Sequence, residues 1–168
     1  MLFRSEVLRE SFIERVLGYA RVQSALSGRW TVGQLVAFHS REKCSLLAHN
    51  RQLHGELGRL VASPKEHTRS ELAARYTSLF MKALSYKATT RKHVDVLTHI
   101  CGHFKKLLAP AVKQSLRDAI EDYRQGRVSL VSVVSQLADY AESCDVAYIR
   151  SQSYLQLQAG GLVLTNHA

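Results

Sequence analysis

The sequence has little proline, no long apolar run and no pair of neighbouring cysteines, and each shortage excludes a class of protein. The two prolines, Pro64 and Pro110, leave long stretches open to helix, whose interior tolerates proline least. Without a C-x-x-C pair, the three cysteines indicate neither a disulfide framework nor a zinc or iron–sulfur site. No apolar run approaches the roughly 18 residues of a membrane span, and the N-terminal segment is charged too early for a signal peptide. The cytoplasm is therefore the expected compartment.

Catalytic motifs are missing as well. The sequence contains no P-loop, no dinucleotide fingerprint and no G-x-S-x-G turn. The acidic residues alternate with arginine and lysine and form no obvious pair of catalytic carboxylates. We therefore expect no cofactor, and no motif identifies a reaction.

Helical patterns with caps run through the chain. They predict an all-α fold, one domain over residues 1–158 with about six or seven helices, and a flexible tail over 159–168. Ser5 opens a first helix that carries Leu8, Phe12, Val16 and Tyr19 at helical spacing. The other predicted helices cover about 32–50, 53–62, 69–84, 90–108, 110–125 and 129–141. The segment 145–157 is ambiguous.

An excess of positive charge indicates a polyanionic partner. The chain has 23 Lys and Arg against 14 Asp and Glu, a formal charge of +9. Basic side chains gain affinity for nucleic acid because each neutralised phosphate releases counterions. Simple solubility is the alternative explanation.

Polar side chains cluster in three segments. In the second predicted helix, His39 and Lys43 are one turn apart and flanked by leucines, which favours a partly desolvated pair beside a groove or, equally, a lysine that extends to solvent. A second stripe follows the helix after Thr89, and a basic helix end follows at 122–127. The candidate residues for binding RNA or another anion are His39, Arg41, Lys43, His49, Lys92, His99, His103, Lys106, Tyr123 and Arg124.

Two features of the second stripe have more than one explanation. His99 and His103 have the spacing of a helical metal pair, but Ile100 stands where H-E-x-x-H has glutamate, so no metal is predicted. Gly102 costs about 1 kcal/mol within a helix, which indicates close approach of a ligand or of another helix.

The same segments resemble the YbgA-like domain family. The blocks H-S-R-E-K at 39–43, L-A-H at 47–49 and L-G at 57–58 are followed by K-H-V-x-V-L-x-H-x-x-G-x-F-K at 92–105 and Y-R-x-G at 123–126. The blocks come in the family's order, and the resemblance runs from about residue 35 to 154. Near them this chain departs from the usual residues at Cys44 and His103.

The resemblance implies a helical domain that occurs alone or as the C-terminal half of longer proteins. In the longer proteins an N-terminal iron–sulfur half removes sulfur from thiouracil or thiouridine. The helical half is then an accessory that delivers RNA, with tRNA the expected class. A separately encoded desulfidase is a further expected partner.

Three hypotheses follow. The first is an RNA-binding module that is not itself an enzyme. The second is an enzyme acting on a nucleotide or nucleic acid through His39, His49, His99 and His103. The third is a protein–protein adaptor that docks onto a desulfidase or repair enzyme. The sequence leaves open whether the chain forms a homodimer, and it indicates no membrane partner.

Overall fold

The computed structural model describes the backbone of residues 2–160 and the side chains of residues 11–157. Within that range the regular structure is entirely helical, which confirms the all-α prediction. The helices divide into two compact units, Met1–Ala88 and Thr89–Ala168, which we call unit 1 and unit 2. A single domain over 1–158 stays a prediction. Residues 161–168 of the predicted tail lie outside the described residues.

Unit 1 contains five α-helices and one 3-10 turn. These are α1 (Leu2–Leu26), α2 (Val32–Arg41), α3 (Lys43–His49), α4 (Arg51–Ala62), the turn Pro64–Glu66, and α5 (Arg69–Leu84). Thr31 and Thr68 start α2 and α5 with capping boxes, in which each threonine accepts from a backbone N–H three residues later. Helix α5 packs against α1, α3 and α4, and its Tyr76 and Phe80 are fully buried.

One buried position and three exposed positions of α1 show how this helix packs. Gly18 is buried, and a Cβ at this position would lie 2.3 Å from Cδ1 of Leu84 in α5. By contrast, Phe12, Val16 and Tyr19 are 65%, 50% and 52% exposed. The helical spacing of these three side chains therefore defines an outer face of unit 1 and not its core.

Unit 2 contains α6 (Thr90–His103), α7 (Pro110–Arg124), α8 (Leu130–Ser143), α9 (Ala147–Arg150) and α10 (Ser153–Gly160). Thr89 and Ser129 cap α6 and α8, and Pro110 begins α7 at the position where its missing N–H costs least. Helix α6 packs on α7 and α8, and α8 also packs on α9 and α10.

The prediction of six or seven helices is wrong, because the described residues form ten α-helices. The predicted second helix is divided at Glu42 into α2 and α3. The ambiguous segment after 145 adds α9 and α10, with Asp145 in a left-handed conformation (φ 53°) after α8.

None of the helices in the described part is both long and apolar enough to cross a lipid bilayer.

Candidate functional site

The junction of α2 and α3 places one buried carboxylate inside unit 1. The backbone N–H of Glu42 donates to the carbonyl of Phe38 (3.0 Å), and the N–H of Leu46 donates to the carbonyl of Glu42 (2.9 Å), so helical bonding continues through the junction. The Glu42 side chain is 1% exposed and accepts two hydrogen bonds of 2.9 Å from Nε and Nη2 of Arg21. This bidentate pair joins α1 to the α2–α3 junction.

Two imidazoles stack where α2 faces α4. The ring centroids of His39 and His54 are 5.1 Å apart and the planes differ by 14°. Nδ1 of His39 lies 3.1 Å from the hydroxyl of Tyr76. Nε2 of His39 faces Gly58, where an added Cβ would lie 3.6 Å from it. Together with Lys43 and Arg51, these two histidines form what we call the paired-imidazole site.

Burial and neighbouring cations keep both imidazoles neutral near pH 7. Burial first, and then repulsion from His54 and Lys43, together lower the pKa of His39 to about 4. The pKa of His54 is also lowered, by burial first and then by Lys43 and Arg51. The site therefore combines half-buried imidazoles with cations.

His49, a predicted binding residue, is inside the protein with only 3% of its surface exposed. Its Nδ1 lies 2.6 Å from the backbone carbonyl of Tyr86, and its Nε2 lies 2.9 Å from Oε1 of Glu14. The geometry ties α3 to α1 and to the end of α5, which is a structural role.

Unit 2 has its own histidine–tyrosine pair. His93 is 9% exposed, and its Nδ1 lies 2.8 Å from the hydroxyl of Tyr154. The ring of Tyr123, another predicted residue, meets His93 edge-on at 6.4 Å. Tyr123 is half-buried and Lys92 is also only partly exposed.

The stripe predicted on α6 is at the surface. His99 and His103 are exposed, their rings are 5.3 Å apart, and His103 also contacts Tyr148 at 5.2 Å. Lys106 is exposed, but it lies after α6. This helix ends at His103, whereas the sequence predicted that it continues to about residue 108. Among the described residues, no group of three or more His, Cys, Asp or Glu side chains is arranged to hold a metal.

Gly102 does not mark the close approach of another helix. A Cβ at this position would meet no atom within 4 Å in the described structure, and the residue is exposed. The prediction of another helix against this glycine is therefore wrong, and the approach of a ligand stays a prediction.

Carboxylates pair with three of the five arginines of unit 2. Arg124, a predicted binding residue, donates two hydrogen bonds to the carboxylate of Glu121 (2.7 and 2.8 Å). These bonds, together with one from the side chain of Gln125, lower the pKa of Glu121 to about 2. Arg127 pairs with Asp122. Arg150 pairs with Glu142 at 3.3 Å and Asp145 at 2.7 Å.

The exposed cations of unit 1 have a different environment. Unit 1 has 14 Lys and Arg against 7 Asp and Glu, a net charge of +7, whereas unit 2 has 9 against 7, a net charge of +2. Among the described residues of unit 1, the following exposed cations form no ion pair with a carboxylate: Arg15, Arg29, Arg41, Arg51, Arg59, Lys65, Arg69, Arg75 and Lys82. Arg41, a predicted residue, is in this group, which we call the unpaired cations of unit 1.

A cavity of about 350 Å³ between α1 and α5 is separate from this chemistry. It carries no ionisable side chain and is lined by Gln23, Leu26, Ala73, Ala74, Thr77 and Ser78. None of the three cysteines forms a disulfide, and burial raises the pKa of Cys44 to about 12 and that of Cys101 to about 11.

The sequence interpretation missed the residues that complete the site in unit 1. His54 and Gly58 are one helical turn apart, the same spacing as His39 and Lys43, and this repeated pattern was the available signal. The sequence pattern placed Tyr76 only on the apolar side of its helix, and Arg21 has no oppositely charged neighbour along the chain that would predict an ion pair. Their roles depend on contacts 21 to 37 residues away along the chain.

Comparisons with known proteins agree with the earlier resemblance. The family described as "Protein of unknown function (DUF1722)" matches residues 43–158, so His39 and Arg41 precede the matched segment. A curated relative, "Uncharacterized protein YbgA" of Escherichia coli strain K12, is 29% identical over 128 residues, which cover 76% of each chain. No solved structure matches the chain significantly. The predicted YbgA-like resemblance is confirmed, and the chain belongs to the DUF1722 family.

Proposed function

We propose that this chain is an RNA-binding module, with tRNA the expected class of RNA. The observation that carries the proposal is the set of unpaired cations of unit 1. An arginine already bonded to a carboxylate must give up that bond before it meets a phosphate, whereas an exposed arginine without one gives up only water. Unit 1 therefore supplies the phosphate contacts in this proposal.

The accessory role rests on the family resemblance. The resemblance implies longer proteins in which such a domain is joined to a thiouracil or thiouridine desulfidase. We propose that the present chain likewise holds RNA for thionucleoside desulfuration or a related reaction, and that the chemistry belongs to another polypeptide.

A salt titration of tRNA binding tests the proposal. Three arginines of unit 1 are replaced together, Arg29→Gln, Arg59→Gln and Arg75→Gln. We expect the affinity to fall by about tenfold or more, and the slope of log K against log salt to decrease by up to about 3, because each lost contact releases fewer counterions.

The matched control replaces three ion-paired arginines of unit 2, Arg124→Gln, Arg127→Gln and Arg150→Gln. It removes the same formal charge, and we expect a much smaller loss of affinity. Equal losses in the two triple variants would place the binding surface elsewhere. Wild-type binding no tighter than that of a neutral protein at low salt would contradict RNA binding altogether.

The exposed face of α1 favours a second candidate, the protein–protein adaptor. Phe12, Val16 and Tyr19 lie four and three residues apart on one side of the helix, and all three are at least half exposed. In this case Phe12→Ser with Val16→Ser should abolish capture of a purified thiouracil desulfidase. Val32→Ser with Val36→Ser, on the exposed side of α2, is the control and should leave capture unchanged.

The enzyme hypothesis gains no such observation. His49 is buried between Glu14 and the carbonyl of Tyr86, and His39 pairs with His54. In unit 2, His99 and His103 contact each other at the surface. Within neither unit do the described side chains place the proposed histidines around one metal or phosphate position.

A further inference from the structure

We propose that the paired-imidazole site of unit 1 binds a single phosphate group, and that binding takes up protons. The proposal deepens the RNA-binding function, on which it rests, by naming the group that this site receives. The site shares Arg51 with the unpaired cations of unit 1, but its two imidazoles and Lys43 are half-buried, and the imidazoles can titrate.

Helical register brings the four side chains together. His39 and Lys43 are four residues apart, and the backbone bonds through Glu42 keep them on one side of α2 and α3. On α4, Arg51 and His54 are three apart, and Gly58 follows one turn later on the same side. Helix α4 packs against both α2 and α3, and the stacked rings show that these two sides face each other.

The site presents donors that the described protein groups leave unused. Tyr76 engages Nδ1 of His39 only. Nε2 of His39 faces residue 58 of α4, and because that residue is a glycine, no side chain from this position covers it. His54 and Lys43 make no hydrogen bond to other described residues. A bound phosphate oxygen would be within the reach of two imidazoles and an ammonium group, which are the partners that phosphate commonly takes.

The charges around the site lack an anion. The nearest carboxylate along the chain, Glu42, is bonded to Arg21 from α1. On α4, Glu56 accepts from Gln52. The titratable groups that face the imidazoles are thus Lys43 from α3, Arg51 from α4 and the neutral phenol of Tyr76 from α5, together with the Arg21–Glu42 pair.

A phosphate would supply the missing counter-charge. The lowered pKa values of His39 and His54 arise from burial and from neighbouring cations, and a bound anion opposes both causes. Each imidazole that gains a proton on binding adds a charge-assisted hydrogen bond. A phosphodiester keeps its single charge over the range from about pH 7.5 to 5.5, so its affinity should rise as the pH falls through that range.

Calorimetric titration of the full chain with inorganic phosphate tests the site. In wild-type protein near pH 6.5, the dependence of the heat on the ionisation heat of the buffer should show proton uptake that the His39→Gln with His54→Gln variant lacks, since free phosphate exchanges protons near this pH as well. The variant Gly58→Ala keeps every charge and places a methyl group against Nε2 of His39. We expect about a tenfold loss of phosphate affinity, equivalent to one charge-assisted hydrogen bond. Its thermal midpoint should be unchanged or higher, because alanine favours helix over glycine.

A double variant and a matched control variant complete the test. His39→Gln with His54→Gln should abolish proton uptake. His99→Gln with His103→Gln removes the other pair of neighbouring imidazoles, on exposed α6, and should change nothing. The proposal is overturned if Gly58→Ala binds phosphate like wild type, if the His99 and His103 variant removes the uptake, or if millimolar phosphate does not bind.

Two further comparisons distinguish a terminal phosphate from a backbone phosphate, and the phosphate site from the RNA-binding function. An RNA oligonucleotide with a 5′-phosphate is compared with the same sequence ending in a 5′-hydroxyl. Tighter binding of the first supports a terminal phosphate in the site, and equal binding with a Gly58→Ala defect supports a backbone phosphate. RNA binding that persists without pH dependence and without a Gly58→Ala defect overturns the phosphate site and leaves the module function standing. Phosphate binding with proton uptake, but no RNA binding, overturns the module function alone.

Discussion

Among the described residues, the exposed arginines of unit 1 form no ion pair with a carboxylate, whereas three of the five arginines of unit 2 do. Arg124 and Glu121 are three residues apart in one helix, and Arg127 and Asp122 are five apart, so unit 2 neutralises its charge locally. In unit 1 the bidentate pair of Arg21 and Glu42 is internal, and the exposed arginines whose side chains the structure describes have no such neighbour. The difference shows that the total of +9 does not describe the surface that a polyanion would meet.

The two units also contain a similar pair in different surroundings. In each, a buried tyrosine hydroxyl lies near Nδ1 of a histidine, at 3.1 Å for Tyr76 and His39 and at 2.8 Å for Tyr154 and His93. His39 stacks on a second histidine beside two cations, whereas His93 meets the edge of Tyr123. The same contact thus orients a titrating group in unit 1 and adds to an aromatic cluster in unit 2.

The largest effect is expected at the internal ion pair. Arg21→Ala leaves the buried carboxylate of Glu42 without its guanidinium, and we expect a loss of about 3 kcal/mol in the free energy of unfolding. Arg150→Ala in unit 2 breaks two exposed pairs and should change it by less than about 1 kcal/mol. Urea unfolding followed by circular dichroism measures both, and equal losses would refute the contrast between the units.

Packing at α1 should give the next effect. Gly18→Ala places a Cβ where Leu84 now lies, and we expect a loss of about 2 kcal/mol as the Leu84 side chain and the helices adjust. The same urea experiment measures it. Adding Leu84→Val, which shortens the clashing side chain, should recover part of the loss, and no recovery would point to a different cause.

The pH dependence of stability should come next. Because the pKa of His39 is about 4 in the folded protein and about 6.5 when unfolded, the unfolded state binds the proton first as the pH falls. Stability should therefore fall from about pH 6.5 towards pH 4, by on the order of 1 kcal/mol at pH 5 after allowance for solvent screening. His54 acts in the same direction.

The double variant His39→Gln with His54→Gln should flatten this part of the profile. Urea midpoints at several pH values measure the difference from wild type. A variant profile parallel to that of wild type between pH 6.5 and 4.5 would contradict the assignment to these two histidines.

The smallest effect is a gain in unit 2. Gly102 is exposed near the end of α6 with open space at its Cβ position, so Gly102→Ala should raise the free energy of unfolding by about 0.5–1 kcal/mol. Thermal unfolding detects such a change. Set beside Gly18→Ala, the opposite signs would show that one glycine is required by packing and the other is not. A loss at Gly102 would reveal a contact against this face.

Most helix boundaries were predictable because their signals are local. Thr31, Thr68 and Ser129 cap helices with side chains that reach only three residues ahead. The division at Glu42 was not predictable, since helical bonding continues through it and its carboxylate is held by Arg21, 21 residues away. Helical spacing alone also did not predict which side of α1 is buried. Gly18 and Val22 face the core, and Phe12 faces solvent.

The candidate site was predictable only in part for the same reason. His39, Arg41 and Lys43 stood out as polar residues among leucines in one helix. The stacking of His54 on His39 depends on how α4 packs on α2, a tertiary contact. The sequence presented His49 and Arg124 as candidate binding residues like the others. In the structure His49 is buried and Arg124 is paired with Glu121.

The chain's single tryptophan lies in unit 1, and this placement has a practical consequence. Trp30 is 4% exposed, and the guanidinium carbon of Arg69 lies 5.5 Å from its ring centroid. A polyanion that draws Arg69 away would change the polarity around the only indole in the molecule. Its emission is therefore an intrinsic optical reporter of the basic surface, and a titration can be followed without any attached dye.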